Sequence, residues 1–393
     1  MLKRILAAAA AAALTATSAG AQDTVKIGFV TTLTTPAAVI GEDMVNSVNL
    51  AVEHLGGEMA GKKIEVIFED DGFKPEIGKQ KTDKLVKQDD VDFVTGYIWS
   101  NVLLASRKSA LDAGKFLISA NAGPHELAGE LCHENFFSTS WQNDQTPMAL
   151  GEALNQRGVK SVYVMAPNYA AGKDMAAGVE RTFKGEIKGR DFTKWPDQLD
   201  FSVELAKARS SGAEALFVFY PGKAGVALVQ QYQQLGLQEA MPLYSVFTID
   251  GITLPRLQEA NLEGVLGSLI TQHWGADLDV PQNKKYVSDY KAKHGKYPSY
   301  YGQQSYDLIM LINSAVEAVN GDLSNTDGIR AALEKADFPS TRGAFKMGPN
   351  HLPIQNFYLH EIVADEDGVW TTKIVQTVFE NHQDSYAKDC KMD

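Results

Sequence analysis

The sequence predicts an α/β protein with parallel sheets, and three observations lead there. From residue 25 onward, short apolar runs rich in β-branched residues alternate with stretches of helical periodicity, the rhythm of βαβ units. A chain of 393 residues suits two domains of roughly 100–200 residues each. Three strand-to-turn junctions share one character. Residues 93–100 (FVTGYIWS), 116–123 (FLISANAG) and 216–222 (LFVFYPG) each end an apolar run in small, hydroxyl-bearing and aromatic residues. Ligands of parallel sheets bind beyond the carboxyl ends of the strands, so these loops are expected to face one cleft. No acid/base pair or nucleophile dyad accompanies them, which points to holding a small molecule rather than transforming it.

Residues 25–31 (VKIGFVT) read as the first strand, and apolar Met44, Val48, Ala51 and Leu55 at helical spacing predict the helix after it. Residues 64–69 are the next strand, and 75–87 a helix with Pro75 in its first turn. A strand over 91–96, a helix over 101–113 and a strand over 116–119 follow. A second series starts after Trp141: helix 144–156, strand 161–166, helix 173–183 and a polar strand within 186–194. It continues with helix 203–209, strand 215–220, helix 224–235, strand 242–247 and strand 266–272. The last third departs from this rhythm. Residues 281–294, 301–319 and 326–336 read as three successive helices, and 341–393 as strand-like runs with turns at 348–350 and 365–368. The chain is therefore expected to cross between lobes near 140–143, 272–275 and 347–353.

Lys3 and Arg4, the alanine-rich run over residues 5–14 and Ala19-Gly20-Ala21 form the pattern of a secretory signal peptide cleaved after Ala21. Its apolar core is shorter than the roughly 20 residues that span a bilayer, and no later segment is long and apolar enough to insert. Removing residues 1–21 takes away two cations, leaving 35 − 49 = −14 from 37 basic and 49 acidic residues. That balance argues against nucleic-acid binding, which needs cations against phosphates. Two cysteines, Cys132 and Cys390, are expected to bridge in an oxidising compartment and pin the C-terminal tail. Two unrelated thiols are the alternative. Neither their spacing nor their neighbours suggest a metal site.

Residues 25–71 (VKIGFVTTLTTPAAVIGEDMVNSVNLAVEHLGGEMAGKKIEVIFEDD) resemble the start of periplasmic substrate-binding proteins of ABC importers, of the leucine/isoleucine/valine-binding type. The likeness continues through 96–100, 116–123, 136–145 and 306–318, covering essentially the whole exported chain. It implies the type I fold: two Rossmann-like lobes joined by three crossover segments, closing on a ligand and then docking onto a membrane permease. The lobes would comprise residues 22–141 plus 274–347 and 142–273 plus 348–393. Family members are usually monomers, and no cofactor is implied.

Carried over by position, Ser100 matches the hydroxyl that grips a ligand carboxylate at a helix N-terminus, where free N–H groups and the helix dipole favour an anion. A plain N-cap is its other reading. Tyr97 and Trp99 sit in the same loop. Ala120, Asn121 and Ala122 match the loop whose backbone completes the clamp. Tyr169 matches a ring closing from the second lobe, Tyr220 a further aromatic contact, and Phe247 and Thr248 the last loop. Amino-acid binders of this family place an acid there for the ligand ammonium. Residues 245–250 (SVFTID) offer only Asp250, which could instead cap the next helix. The rings, with Trp141 either in the pocket or in hinge packing, lean towards an aromatic carboxylate. Branched-chain amino acids are the alternative, and short amides or urea a weaker one.

Enzymatic readings find little support. No G-x-G-x-x-G follows the first strand, no G-x-S-x-G elbow or P-loop occurs, and the eight histidines lack ligand spacing. A ligand sensor read by a partner receptor is the other competing class.

Overall fold

The computed structural model describes residues 24–392; the signal peptide expected at residues 1–21 lies outside them. The first lobe is built on strands β1 (Thr24–Thr31), β2 (Glu58–Met59), β3 (Lys62–Asp70), β4 (Phe93–Gly96), β5 (Phe116–Ser119) and β6 (Phe136–Ser138). They lie in the order β2-β3-β1-β4-β5-β6. All pairs are parallel except the short β2–β3 hairpin. Helices α1 (Ala38–His54), α2 (Pro75–Lys87), α3 (Ser100–Leu111) and α4 (His125–Ala128) connect them. Strands β4 and β5 are buried at every residue, as expected of strands covered on both faces.

The second lobe carries α5 (Gln145–Gln156), β7 (Ser161–Pro167), α6 (Ala170–Thr182), β8 (Glu186–Thr193), α7 (Ser202–Ser210), β9 (Ala215–Val218), α8 (Lys223–Gln234), β10 (Leu243–Ser245), α9 (Leu254–Glu259) and β11 (Leu269–Gln272). Helices α10 (Pro281–His294), α11 (Tyr300–Ala318) and α12 (Thr326–Lys335) return to the first lobe, where α11 packs on α1. The chain then supplies β12 (Lys346–Met347), β13 (Pro353–Ala364) and β14 (Trp370–His382) to the second sheet. That sheet runs β12-β13-β11-β10-β9-β7-β8, with β14 paired to β13. Strands β8 through β11 are parallel and the C-terminal strands antiparallel. No helix among the described residues is long and apolar enough to cross a membrane.

Each sheet reverses its strand order once, between β1 and β4 in the first lobe and between β7 and β9 in the second. Crevices at such switch points are where α/β sheets hold ligands. Strands β2 and β6 and helix α4 have no counterpart in the sequence expectation, and β11 starts three residues later than expected; two further boundaries differ beside this crevice. Strand β10 stops at Ser245 because the backbone turns at Phe247, whose φ is +54°. Helix α6 begins at Ala170, three residues earlier than its periodicity suggests, directly after the extended Tyr169.

The lobes are linked by three segments, the third running between α12 and β12 rather than near 347–353, and one buried carboxylate gathers them. Asp307 of α11 accepts hydrogen bonds from the Thr341 N–H and hydroxyl, Ser340 Oγ, Gln303 Nε2 and the Arg342 guanidinium. Arg342 also donates to the Thr139 carbonyl at 2.8 Å in the first link. Gln303 meets His273 of the second link at 3.3 Å. The expected bridge is present: Cys132 and Cys390 form a disulfide with a Cα–Cα distance of 5.6 Å, fastening the tail beyond β14 to the segment after α4.

Replacing Asp307 by Ala leaves the buried Arg342 charge uncompensated. The expected loss is about 3–5 kcal/mol, read as a shift of the urea midpoint. The paired change Cys132→Ser with Cys390→Ser closes no loop in the unfolded chain and is expected to cost about 2–4 kcal/mol. Dithiothreitol should lower the melting temperature of the parent protein and leave that of the variant unchanged.

Candidate functional site

The site grows from the end of β4. Gly96 has φ +102°, and a Cβ there would sit 2.2 Å from the Val30 carbonyl oxygen, so only glycine lets the strand lie this close. Tyr97 follows at φ +67°, held by its N–H to the Val30 carbonyl at 2.7 Å and its hydroxyl to Thr82 of α2 at 2.6 Å. This reversal aims α3 at the crevice. The helix opens without a side-chain cap; the Val102 N–H turns back to the Trp99 carbonyl at 3.1 Å, leaving the Ser100 and Asn101 N–H groups without intrahelical partners. Ser100, 1 % exposed, stands at that end and accepts a 3.1 Å hydrogen bond from Asn143 Nδ2. Asn143 also donates to Asp174 of α6 at 2.9 Å, joining the lobes across the first link.

The second loop is locked rather than free. The Asn121 amide donates to the Ile98 carbonyl at 2.7 Å and accepts from Gln304 at 2.7 Å. The Ala120 and Ala122 N–H groups go to the carbonyls of Gly96 and Tyr97. From the second lobe, Tyr169 stacks on Trp195 with centroids 5.4 Å apart and on Phe219 at 6.3 Å. Phe247 lies 4.7 Å from Trp141, nearly parallel, and 5.0 Å from Tyr300.

Together these residues enclose a small interlobe cavity of about 20 Å³, enough for a single water. Of the residues expected at the site, Trp99, Ser100, Asn121, Ala122, Tyr169 and Phe247 line it, and so does Trp141. Four others do not. Tyr97 points into the core of the first lobe, with its hydroxyl on Thr82. Ala120 is consumed in backbone pairing to Gly96. Tyr220 packs on Phe201 at 4.8 Å and bonds Thr193 at 2.9 Å. Thr248 Oγ1 accepts from the Tyr220 N–H and donates to the Val246 carbonyl. The place on the cavity wall expected of Tyr220 is taken by its neighbour Phe219, because successive residues leaving a strand point to opposite sides. Asn143, Met175 and Tyr301 also line the cavity and were not singled out in the sequence. Asn143 sits in the predicted first crossover, the one signal that could have raised it.

No residue lining this cavity is charged. Asp250 is fully buried but turned away: its carboxylate accepts from the Ile252 and Thr253 N–H groups and the Tyr300 hydroxyl, capping the turn before α9. Polarity in the cavity comes from the α3 terminus, Ser100 and the Asn143 amide, all suited to an anion, while the walls are rings and aliphatic groups. His273, beside Trp141, is held well below the ordinary imidazole range by burial and then by the Arg342 charge, so it is neutral.

His125 of α4 pairs with Asp174 at 2.8 Å, an ion pair between lobes. Burial raises the Asp174 carboxyl to about 6. Burial works against the His125 charge, yet the surrounding carboxylates, Asp174 foremost and then Glu126 and Asp144, hold it above the ordinary value. His125, Glu126 and Asp174 bring ligand atoms within 4.8 Å of one another, but His125 and Asp174 already satisfy each other.

A sequence model of the periplasmic binding protein family matches residues 24–368. The chain belongs to the periplasmic binding protein family. Among curated members of this family, Leu/Ile/Val-binding protein homolog 6 of Brucella melitensis is 25 % identical, with 98 % of each chain covered. Among solved structures, a solute-binding protein of an ABC transporter from R. palustris, in complex with benzoate, is 28 % identical. It has a TM-score of 0.86, covering 94 % of this chain and 100 % of that one. A second, from Rhodopseudomonas palustris BisB5 in complex with 3,4-dihydroxybenzoic acid, is 25 % identical with a TM-score of 0.86, covering 92 % and 99 %. The architecture of two α/β lobes around an interlobe cavity is that of the type I periplasmic binding proteins, whose members bind solutes for ABC transporters and are exported.

The Asp174 carboxyl titrates higher folded, at about 6, than its ordinary 3.8. The folded protein therefore takes up this proton first, and stability rises as pH falls through that window. The raised His125 acts in the same direction, its contribution being lost as pH rises through its folded value. Asp174→Asn is expected to flatten the rise, seen as a smaller change of melting temperature between pH 7 and pH 4 than in the parent.

Proposed function

We propose that this protein is the exported, periplasmic solute-binding component of an ABC importer, released by cleavage after Ala21 and acting as a monomer. It captures a small carboxylate, an aromatic acid in preference, between its lobes and delivers it to a membrane permease. The observation that carries the ligand reading is the charge pattern of the cavity. One end offers an uncapped helix terminus, Ser100 and Asn143, and no lining residue is an acid that could meet an ammonium group. Phe247 occupies the loop where amino-acid binders of the family carry that acid, and it is stacked on Trp141. Rings on both lobes offer faces for a planar ligand. The benzoate and dihydroxybenzoate complexes of the R. palustris relatives support the same class.

The cavity of about 20 Å³ is far smaller than the roughly 150 Å³ that holds benzene. Binding on this reading therefore requires the lobes to part, the ligand to enter, and the rings to close over it. The protein is a carrier, with no chemical step assigned to any of its residues. Branched-chain amino acid binding is the second reading, favoured by the names of the curated relatives. Its weakness is that Asp174, which meets the cavity-lining Asn143, is already engaged by Asn143 and His125. A neutral amide or urea would leave the anion-favouring end unused.

Calorimetric titration with 4-hydroxybenzoate, leucine and acetamide tests this. Binding of the aromatic acid with none of leucine is expected, and the reverse sinks the preference. Ser100→Ala should weaken the aromatic acid by about 10- to 100-fold, as loss of a hydrogen bond to a charged group worth about 1.5–3 kcal/mol.

A further inference from the structure

The cleft holds two spaces, not one. Outside the small inner cavity lies a second cavity of about 500 Å³, also between the lobes. Trp99 and Pro221 line both and form the partition. The outer wall is aromatic. Phe73 and Trp99 of the first lobe lie 4.1 Å apart, and Trp195 of the second lobe meets them edge-on at 5.5 and 5.8 Å. Trp195 Nε1 is buried and has no hydrogen-bond partner among the described residues, an unusual state for a buried donor.

The outer rim favours negative charge. Lys74 from the first lobe and Lys223 from the second both line the cavity. Helix α8 starts there behind Gly222 without a side-chain cap, so N–H groups of its first turn lack intrahelical partners. The one acid on the wall, Asp197, is 3.8 Å from Lys194. An apolar ring wall and two cations on opposite lobes describe a compartment for a planar group bearing an acid.

Resting on the proposed carboxylate clamp at Ser100, we propose that the outer cavity is a second compartment of the ligand site. It takes the distal end of a ligand longer than one ring: an elongated aromatic acid whose far ring lies against Phe73 and Trp195. An acidic substituent of that ring meets Lys74 and Lys223. A one-ring acid held at Ser100 leaves this wall untouched, whereas a two-ring acid passes between Trp99 and Pro221 and reaches it. Because the compartment draws on both lobes, the longer ligand also holds them together.

The test is calorimetric titration of the exported chain with benzoate, biphenyl-4-carboxylate and biphenyl-4,4′-dicarboxylate, for the parent, Trp195→Ala and the Lys74→Ala/Lys223→Ala double variant. The dicarboxylate is expected to bind at least about tenfold tighter than benzoate. The lysine double variant is expected to lose most of that advantage with benzoate affinity changing less than about threefold, and Trp195→Ala to weaken both biphenyl acids more than benzoate. Benzoate binding with no gain for the longer acids overturns the second compartment and leaves the aromatic-acid reading intact. Equal losses for benzoate and the dicarboxylate in the lysine variant also overturn it, since the lysines would then not contact the distal end. Failure of all three acids to bind overturns both this inference and the reading it rests on.

Discussion

The buried Asp307 carboxylate is the constraint on which the two-lobed arrangement depends. A lone charge in that position is costly, and here it is compensated by Arg342 and by hydroxyl, amide and backbone donors. Those donors come from the third link and from α11, and Arg342 and Gln303 in turn bond Thr139 of the first link and His273 of the second, so one ion ties three chain crossings together. Buried pairs of this kind add little net stability but punish any arrangement that separates them. The links are thereby fixed as a unit.

Given that frame, the site follows from two switch points facing each other. Parallel strands deliver helix N-termini to the same edge of each sheet, so α3 from one lobe and α6 from the other both begin at the cavity. An anion can then be held by backbone dipoles and neutral hydrogen-bonding groups without a salt bridge. The absence of charge on the cavity wall matters here, since a buried Lys or Arg would need desolvation and a buried acid would repel a carboxylate. Asn143 is central because it reaches Ser100 and Asp174 together, coupling the start of α3 to the interlobe pair formed with His125.

The rings serve two neighbourhoods. Trp141, Phe247, Tyr300 and Phe219 pack the inner end, where stacking at 4.7 Å leaves little free volume. Phe73, Trp99, Trp195 and Tyr169 stand at the partition and mouth. Pairs of this kind contribute about 0.5–1.5 kcal/mol beyond area burial. Those joining opposite lobes therefore favour closure by an amount comparable to a good hydrogen bond.

The alternation of strand and helix, the Cys132–Cys390 bridge and the loops that end β4, β5 and β9 were legible in the sequence, because local periodicity and junction chemistry are written in consecutive residues. The order of those segments also sufficed to recognise the type I fold. What stayed hidden was side-chain direction within each loop. Tyr97 and Trp99 are two residues apart, yet a left-handed turn pinned by Thr82 and Val30 sends one ring into the core and keeps the other at the cleft. Phe219 and Tyr220 divide in the same way, with Thr193 drawing the tyrosine inward. Phe73 and Trp195 gave no local signal because their partners lie far away in the chain. Sequence alone determined which elements form and which loops share an edge. Only the tertiary structure decided which atoms face the cleft, because long-range hydrogen bonds set those backbone reversals.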